Sequence, residues 1–267
     1  MSKHIQLALS ILIISYGVAA QTISEKDFDK HFKKHGIEGC FALYNPTTDA
    51  LIQYNTDLCN TGYIPASTFK IPNSLIVLEE GIISDTSQVI KWDGKVRGYD
   101  KWDRDQTLRT AMKYSCVWAY VGFASQIATE TYQTYIDAFD YGNRNIKGPE
   151  NHFWLEGEFR ISANQQIQFL MKFYNNQLGL SQQTIDIVKS IIVIEEGDGY
   201  KLSAKTGAGV YPNDQHIMWL VGYVEKDNTP YYFALNFLTS DFNGTKNARY
   251  TLAKAILSEL DLLPADD

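Results

Sequence analysis

Cysteine, histidine and proline are all scarce in this chain: 267 residues carry three Cys, five His and seven Pro. Three cysteines exclude a disulfide-built scaffold, and seven prolines with 18 glycines exclude collagenous or low-complexity sequence. The histidines supply little material for a metal cage or a histidine-based triad. His31 and His35 stand at i, i+4, but on a lysine-rich helix face with no third ligand in view, which reads as solvated surface and leaves no metal site. Gly-x-Ser-x-Gly, His-Glu-x-x-His, Cys-x-x-Cys, a phosphate loop and a dinucleotide fingerprint are all absent. Positive charge is short as well, 24 Lys and Arg against 31 Asp and Glu for a net charge of −7. An acidic chain disfavours nucleic acid and stable association with anionic membranes, leaving a small soluble molecule as the expected partner.

Long apolar runs are also missing, with one short exception at the start. Lys3 followed by the apolar stretch Leu7–Ala20, ending Val18-Ala19-Ala20, reads as a secretory leader cleaved after Ala20. The stretch is shorter than the ~20 residues that span a bilayer. Residues 21–267 are therefore expected to form one exported, two-lobed domain. Their 45% hydrophobic and 21% charged composition is that of a globular protein, large enough to fold without staples. Cys40 and Cys59 flank an expected hairpin with Asn45 opposite Ala50; a bridge between them and three free buried thiols both stay open.

Texture changes along the chain. A helix is expected around Glu25–Lys34, and two strands over 38–54. Residues 66–190 are mostly helical, and short β-rich runs follow at Ile191–Glu195, Tyr200–Thr206, Met218–Val224 and Tyr231–Leu238. Ser162 with Gln165 marks a capping box, after which Ile167, Leu170, Met171 and Tyr174 share a face; Asn247–Leu260 forms the last helix. The expected fold is α+β: an antiparallel sheet completed by both ends of the chain, flanked by terminal helices, with a helical lobe inserted and a ligand cleft between lobes.

Three short patterns carry chemistry. Ser67-Thr68-Phe69-Lys70 opens a helix and puts a hydroxyl and an amine on one face, where a lysine kept neutral by burial serves as base for a serine nucleophile. Pro72 sits awkwardly early in that helix. Ser115-Cys116-Val117 adds a second hydroxyl, with Cys116 packed behind it. Lys205-Thr206-Gly207, continuing to Ala208-Gly209, reads as an edge strand whose glycines leave room for a ligand backbone. Asn243-Gly244-Thr245 and Tyr141-Gly142-Asn143 read as turns, and Glu156 or Glu158 is a competing base.

Together with Trp154-Leu155-Glu156 and Arg249, these motifs resemble the class D β-lactamases, members of the penicillin-recognising serine acyltransferases, over essentially the whole of residues 21–267. The resemblance implies Ser67 as acylated nucleophile, Lys70 as N-carboxylated base formed with carbon dioxide or bicarbonate, and Trp154 as indole donor to that carbamate. Ser115 would relay protons, Lys205 would supply positive potential, and Thr206 with Arg249 would hold the substrate carboxylate. Val117, Gly207 and Ala208 would line the substrate site, the Ser67 and Ala208 N–H groups forming an oxyanion hole. No separate cofactor is implied. The implied function is hydrolysis of penicillins in the periplasm, conferring antibiotic resistance; a transpeptidase or carboxypeptidase and a non-catalytic β-lactam sensor carry the same motifs. Loops around Trp102 and over 211–215 are expected to set substrate range.

Overall fold

The computed structural model describes residues 22–264; the expected leader lies outside them. Among the described residues seven strands form one sheet in the order β1-β3-β2-β7-β6-β5-β4. They are β1 (Thr22–Glu25), β2 (Glu38–Asn45), β3 (Ala50–Tyr54), β4 (Val193–Gly197), β5 (Tyr200–Tyr211), β6 (Gln215–Lys226) and β7 (Thr229–Thr239). β2 pairs with β7, so both ends of the chain build one sheet, and Asn45 faces Ala50 as expected. The sheet is mixed, however, because β1 runs parallel to β3. The expected helix from Glu25 is thus too long at its start: residues 22–25 add a strand, and α1 (Asp29–Lys34) begins only after Asp27 Oδ1 accepts the Asp29 N–H at 2.8 Å.

Alternation along the strands splits the core into two layers. On one face Phe41, Leu43, Met218 and Leu220 pack with Phe28 and Phe32 of the α1 region and Leu252 and Ile256 of α10 (Ala248–Glu259). Ala42, Trp219 and Val221 point the other way, into the helical layer. That layer comprises α2 (Thr56–Asn60), α3 (Lys70–Glu79), α4 (Leu108–Lys113), α5 (Val117–Ala124), α6 (Thr129–Phe139), α7 (Ala163–Tyr174) and α8 (Gln182–Ile191); α9 (Phe242–Thr245) is the turn expected before the last helix. Ser162 caps α7 reciprocally with Gln165. Its buried stripe is Gln166, Ile167, Leu170 and Phe173, placing an amide where the sequence pattern led to apolar residues only.

Two boundaries move. Ile191 ends α8, so β4 starts at Val193, and β5 runs five residues past Thr206. β5 is therefore not an edge strand throughout: β4 covers it to Ser203 and Ile192 O takes the Ala204 N–H, beyond which no strand of the described residues lies on its outer side. All three cysteines are buried thiols. His31 contacts Glu259 at 2.6 Å and His35 contacts Thr251 at 3.3 Å, so these residues tie α1 to α10 instead of lying on a solvated face.

Candidate active site

The segment before α3 is clamped from every side. Tyr63 and Ile161 exchange backbone hydrogen bonds, Ala66 N–H donates to Trp154 O at 2.9 Å, Ile64 N–H donates to Tyr211 Oη at 2.8 Å, and Trp219 Nε1 donates to Ile64 O at 3.0 Å. Ala66 is held at φ +49°, a left-handed conformation that costs an L-residue energy. A Cβ on Gly207 would lie 3.0 Å from Thr68 Cγ2, and one on Gly209 2.7 Å from Ile64 Cγ2. The glycines of β5 thus make room for this segment of the chain itself, not for a ligand backbone.

Residues Ala66–Phe69 form a 3₁₀ turn that runs into α3. In such a turn residues i and i+3 eclipse, and Lys70 Nζ stands 3.0 Å from Ser67 Oγ. Pro72 causes no break, because α3 starts at Lys70 and the missing N–H falls in its first turn. Ser67 is 9% exposed and Lys70 not at all. Burial lowers the Lys70 amine from 10.5 to about 7, and no carboxylate contributes to that shift. Its Nζ lies 5.0 Å over the Tyr120 ring. Tyr120, itself bonded to Ser74 at 2.8 Å, was not foreseen; its only sequence signal was its place on the apolar side of α5. Trp154 stacks on Phe69 with centroids 5.4 Å apart, and its buried Nε1–H has no hydrogen-bond partner among the described residues.

Three further groups converge from other elements. Cys116, not Ser115, occupies the N-cap of α5, so Ser115 is not spent on capping; it sits at φ +54° and receives a 3.1 Å hydrogen bond from Lys205 Nζ. Lys205 also reaches Thr206 O at 3.0 Å and Oγ1 at 3.2 Å. Burial first, then the charges of Lys70 and Arg249, push the Lys205 amine well down. Arg249, at the start of α10, donates to Gly207 O at 2.9 Å while its buried Nε has no partner among the described residues; burial lowers its guanidinium too. Ala204 N–H donates outward to Ile192 O. Strand alternation turns the N–H groups of Thr206 and Ala208 the same way, beyond the end of β4.

Two cavities lie near these elements. One of about 400 Å³ is lined by Arg109, Lys113, Ile191, Lys205 and Thr206; the other, about 590 Å³, by Arg97, Trp102, Val117 and Trp118. Trp102 is fixed by its Nε1–H to Tyr114 O at 2.8 Å. The two competing bases face outward: exposed Glu156 pairs with His152 at 3.7 Å, and Glu158 accepts from Asn145 at 2.8 Å. Cys116 is a packed thiol, pushed up to about 11 by burial. Among the described residues no three His, Cys, Asp or Glu side chains gather as a metal site, and no helix is long and apolar enough to cross a membrane.

A serine on a 3₁₀ turn and a buried amine on the first residue of the helix it enters, faced by a second serine and a strand lysine, make an arrangement of the kind serine acyltransferases use. The penicillin-binding protein transpeptidase domain family matches residues 19–260. The chain is 41% identical over 249 residues to β-lactamase OXA-48 of Klebsiella pneumoniae, covering 92% of each, and 39% identical over 229 residues to β-lactamase OXA-10 of Pseudomonas aeruginosa, covering 85% and 86%. A class D β-lactamase from Sebaldella termitidis superposes with TM-score 0.86 at 34% identity, covering 91% of this chain and 99% of that one. The C-terminal domain of the Bacillus licheniformis BlaR penicillin receptor does so with TM-score 0.88 at 30% identity, covering 92% and 100%. The chain belongs to the penicillin-binding transpeptidase family and, within it, to the class D β-lactamases.

Proposed function

We propose that this protein opens the lactam ring of penicillins through an acyl-enzyme on Ser67, with Lys70 in its N-carboxylated form as general base. The observation that carries the reading is the pair itself: a fully buried lysine, its amine lowered to about 7, 3.0 Å from a serine hydroxyl. A neutral amine is the form that adds carbon dioxide, and the unpartnered Trp154 Nε1–H is a donor lacking an acceptor. Those residues fit a carbamate, which would supply the anionic oxygen base that the lysine pair otherwise lacks.

Ser67 gives its proton to the base at Lys70 as Oγ attacks the lactam carbonyl. The N–H groups of Ser67 and Ala208 receive the developing oxyanion, a contribution worth a few kcal/mol. Ser115 passes a proton to the departing lactam nitrogen, and Lys205, protonated once the anionic substrate is bound, supplies positive potential. Thr206 and Arg249 hold the substrate carboxylate, and Val117 and Gly207 bound the site. Water activated at the same base then cleaves the ester and returns Ser67 as the hydroxyl. The protein acts after export to the periplasm and cleavage behind Ala20, which N-terminal sequencing of the secreted form checks.

The test is hydrolysis of benzylpenicillin and of a chromogenic cephalosporin, with and without bicarbonate, alongside intact mass after mixing. Turnover enhanced by bicarbonate is the expected result. A persistent adduct without turnover would instead assign a penicillin-receptor role, as in the BlaR receptor domain, or that of a transpeptidase. Neither adduct nor turnover would overturn the reading altogether.

A further inference from the structure

We propose that Gln166 is a positioning residue for this reaction: through Thr68 it holds the turn from which Ser67 attacks, and Tyr141 of the Tyr141-Gly142-Asn143 motif holds Gln166. The inference rests on Ser67 being the acylated residue. Gln166 lies within the buried stripe of α7, 1% exposed, where an amide is costly unless both its ends are satisfied. Nε2 donates to Thr68 Oγ1 at 2.9 Å, and Oε1 accepts from Tyr141 Oη at 3.4 Å. The Thr68 hydroxyl donates its single proton to Pro65 O at 2.7 Å.

Donors therefore run one way, from Tyr141 through Gln166 and Thr68 to the carbonyl of Pro65, and the Tyr141 hydroxyl also lies directly against the Thr68 side chain. That carbonyl immediately precedes Ala66, whose φ of +49° must be held against relaxation. An apolar residue of the same volume would pack in the stripe equally well, so packing alone does not call for an amide here. Tyr141 is itself fixed, 1% exposed, with the rings of Phe159 and Phe169 at 5.6 and 4.9 Å.

The rest of the motif serves the same end. Gly142 stands at φ +61° with Arg160 O only 2.2 Å from where its Cβ would be, and Gln165 Nε2 donates to Gly142 O at 3.3 Å. Asn143 Nδ2 donates to Glu158 O at 2.9 Å. Thus α7, the nucleophile turn and the loop carrying Trp154 meet at one motif that the sequence offered only as a turn.

The test compares Gln166→Met, Gln166→Glu and Tyr141→Phe with the unaltered protein, following acylation by benzylpenicillin by intact mass on a rapid time course. Gln166→Met should acylate about 10- to 100-fold more slowly, the loss expected from a nucleophile displaced by a fraction of an ångström to an ångström. The bicarbonate concentration for half-maximal activity should not move, since Lys70 is untouched. Gln166→Glu has a sharper signature. Its protonated carboxyl donates to Thr68 as the amide does, whereas its carboxylate takes the Thr68 proton away from Pro65. The acylation rate of Gln166→Glu relative to the unaltered protein should rise as pH falls, while the Gln166→Met ratio stays flat; Lys70 titrates in all of them and cancels. Tyr141→Phe keeps the ring packing and should lose a smaller factor, about threefold to tenfold, so it carries the test if the Gln166 variants fail to fold. Acylation at the unaltered rate in Gln166→Met or, failing its folding, in Tyr141→Phe overturns the proposal; so does a pH-independent Gln166→Glu ratio or a shifted bicarbonate demand in Gln166→Met. Failure of the unaltered protein to acylate at all would instead overturn the assignment of Ser67.

Discussion

A buried hydrogen-bond donor without an acceptor leaves an uncompensated desolvation cost, and Trp154 Nε1, its ring stacked on Phe69, stands that way among the described residues. Trp154→Phe keeps an aromatic ring against Phe69 and removes the donor along with part of the ring volume, a packing loss that bicarbonate does not restore. In bicarbonate-depleted buffer it should lose about 10- to 100-fold in hydrolysis, equivalent to the ~1.5–3 kcal/mol of a hydrogen bond to a charged group, and added bicarbonate should restore most of it. An unchanged bicarbonate titration would remove the carbamate role from Trp154. Lys70→Ala should abolish turnover while leaving a folded protein, which circular dichroism and the penicillin assay check together. At this scale Ser67, Lys70, Ser115 and Lys205 were legible because each belongs to a short contiguous pattern. Tyr120 and Gln166 were not, since their partners Ser74 and Thr68 stand 46 and 98 residues away. Gln166 left one trace, a polar residue inside an apolar stripe.

Packing of the nucleophile turn against β5 places a demand on elements that no single motif states. Gly209 lies where the strand passes under Ile64 and Ala66, with Ile217 Cγ2 at 3.1 Å and Ala66 Cβ at 3.4 Å from the added Cβ position. Gly209→Ala should therefore destabilise the fold by about 1–3 kcal/mol through overpacking. It should also slow acylation, because Ile64 cannot yield without disturbing its bonds to Tyr211 and Trp219. Denaturant titration with a single-turnover assay separates the two effects, and a variant as stable and fast as the unaltered chain would count against this packing. Element order and the β2–β3 register were readable from alternation and turn residues. β1 was not: four exposed residues, Thr22–Glu25, gain strand structure only from pairing with β3, which no local pattern encodes. The extension of β5 past Thr206 was hidden likewise, because its glycines read as an end when their cause is a neighbouring segment.

Across the whole molecule, two buried amines shape stability against pH. Lys70 binds its proton up to about 10.5 when unfolded but sheds it above about 7 in the native state, and Lys205 is shifted in the same direction. Between those values the unfolded chain holds more protons, so stability rises with pH, at roughly 1.4 kcal/mol per unit for each amine fully within its window. Buried tyrosines work the other way. Burial raises Tyr120 and Tyr141 well above 10, so above that pH the native state retains protons that the unfolded chain loses, and stability falls. On the acid side Glu79, Glu195 and Glu259 are lowered, and their contributions disappear as pH falls through their native values. These carboxylates are only half-buried, so solvent screens them and they weigh less than the fully buried amines. The maximum should consequently lie on the alkaline side, between about 7 and 10. Lys70→Met, of similar length and without charge, should be more stable than the unaltered chain at pH 7 in carbon dioxide-free buffer, with a shallower rise toward pH 10. Urea midpoints at pH 7, 8.5 and 10 measure both. Identical profiles for the two proteins would mean that Lys70 is charged in the native state at pH 7 and above, a result that would remove the neutral amine on which carboxylation depends.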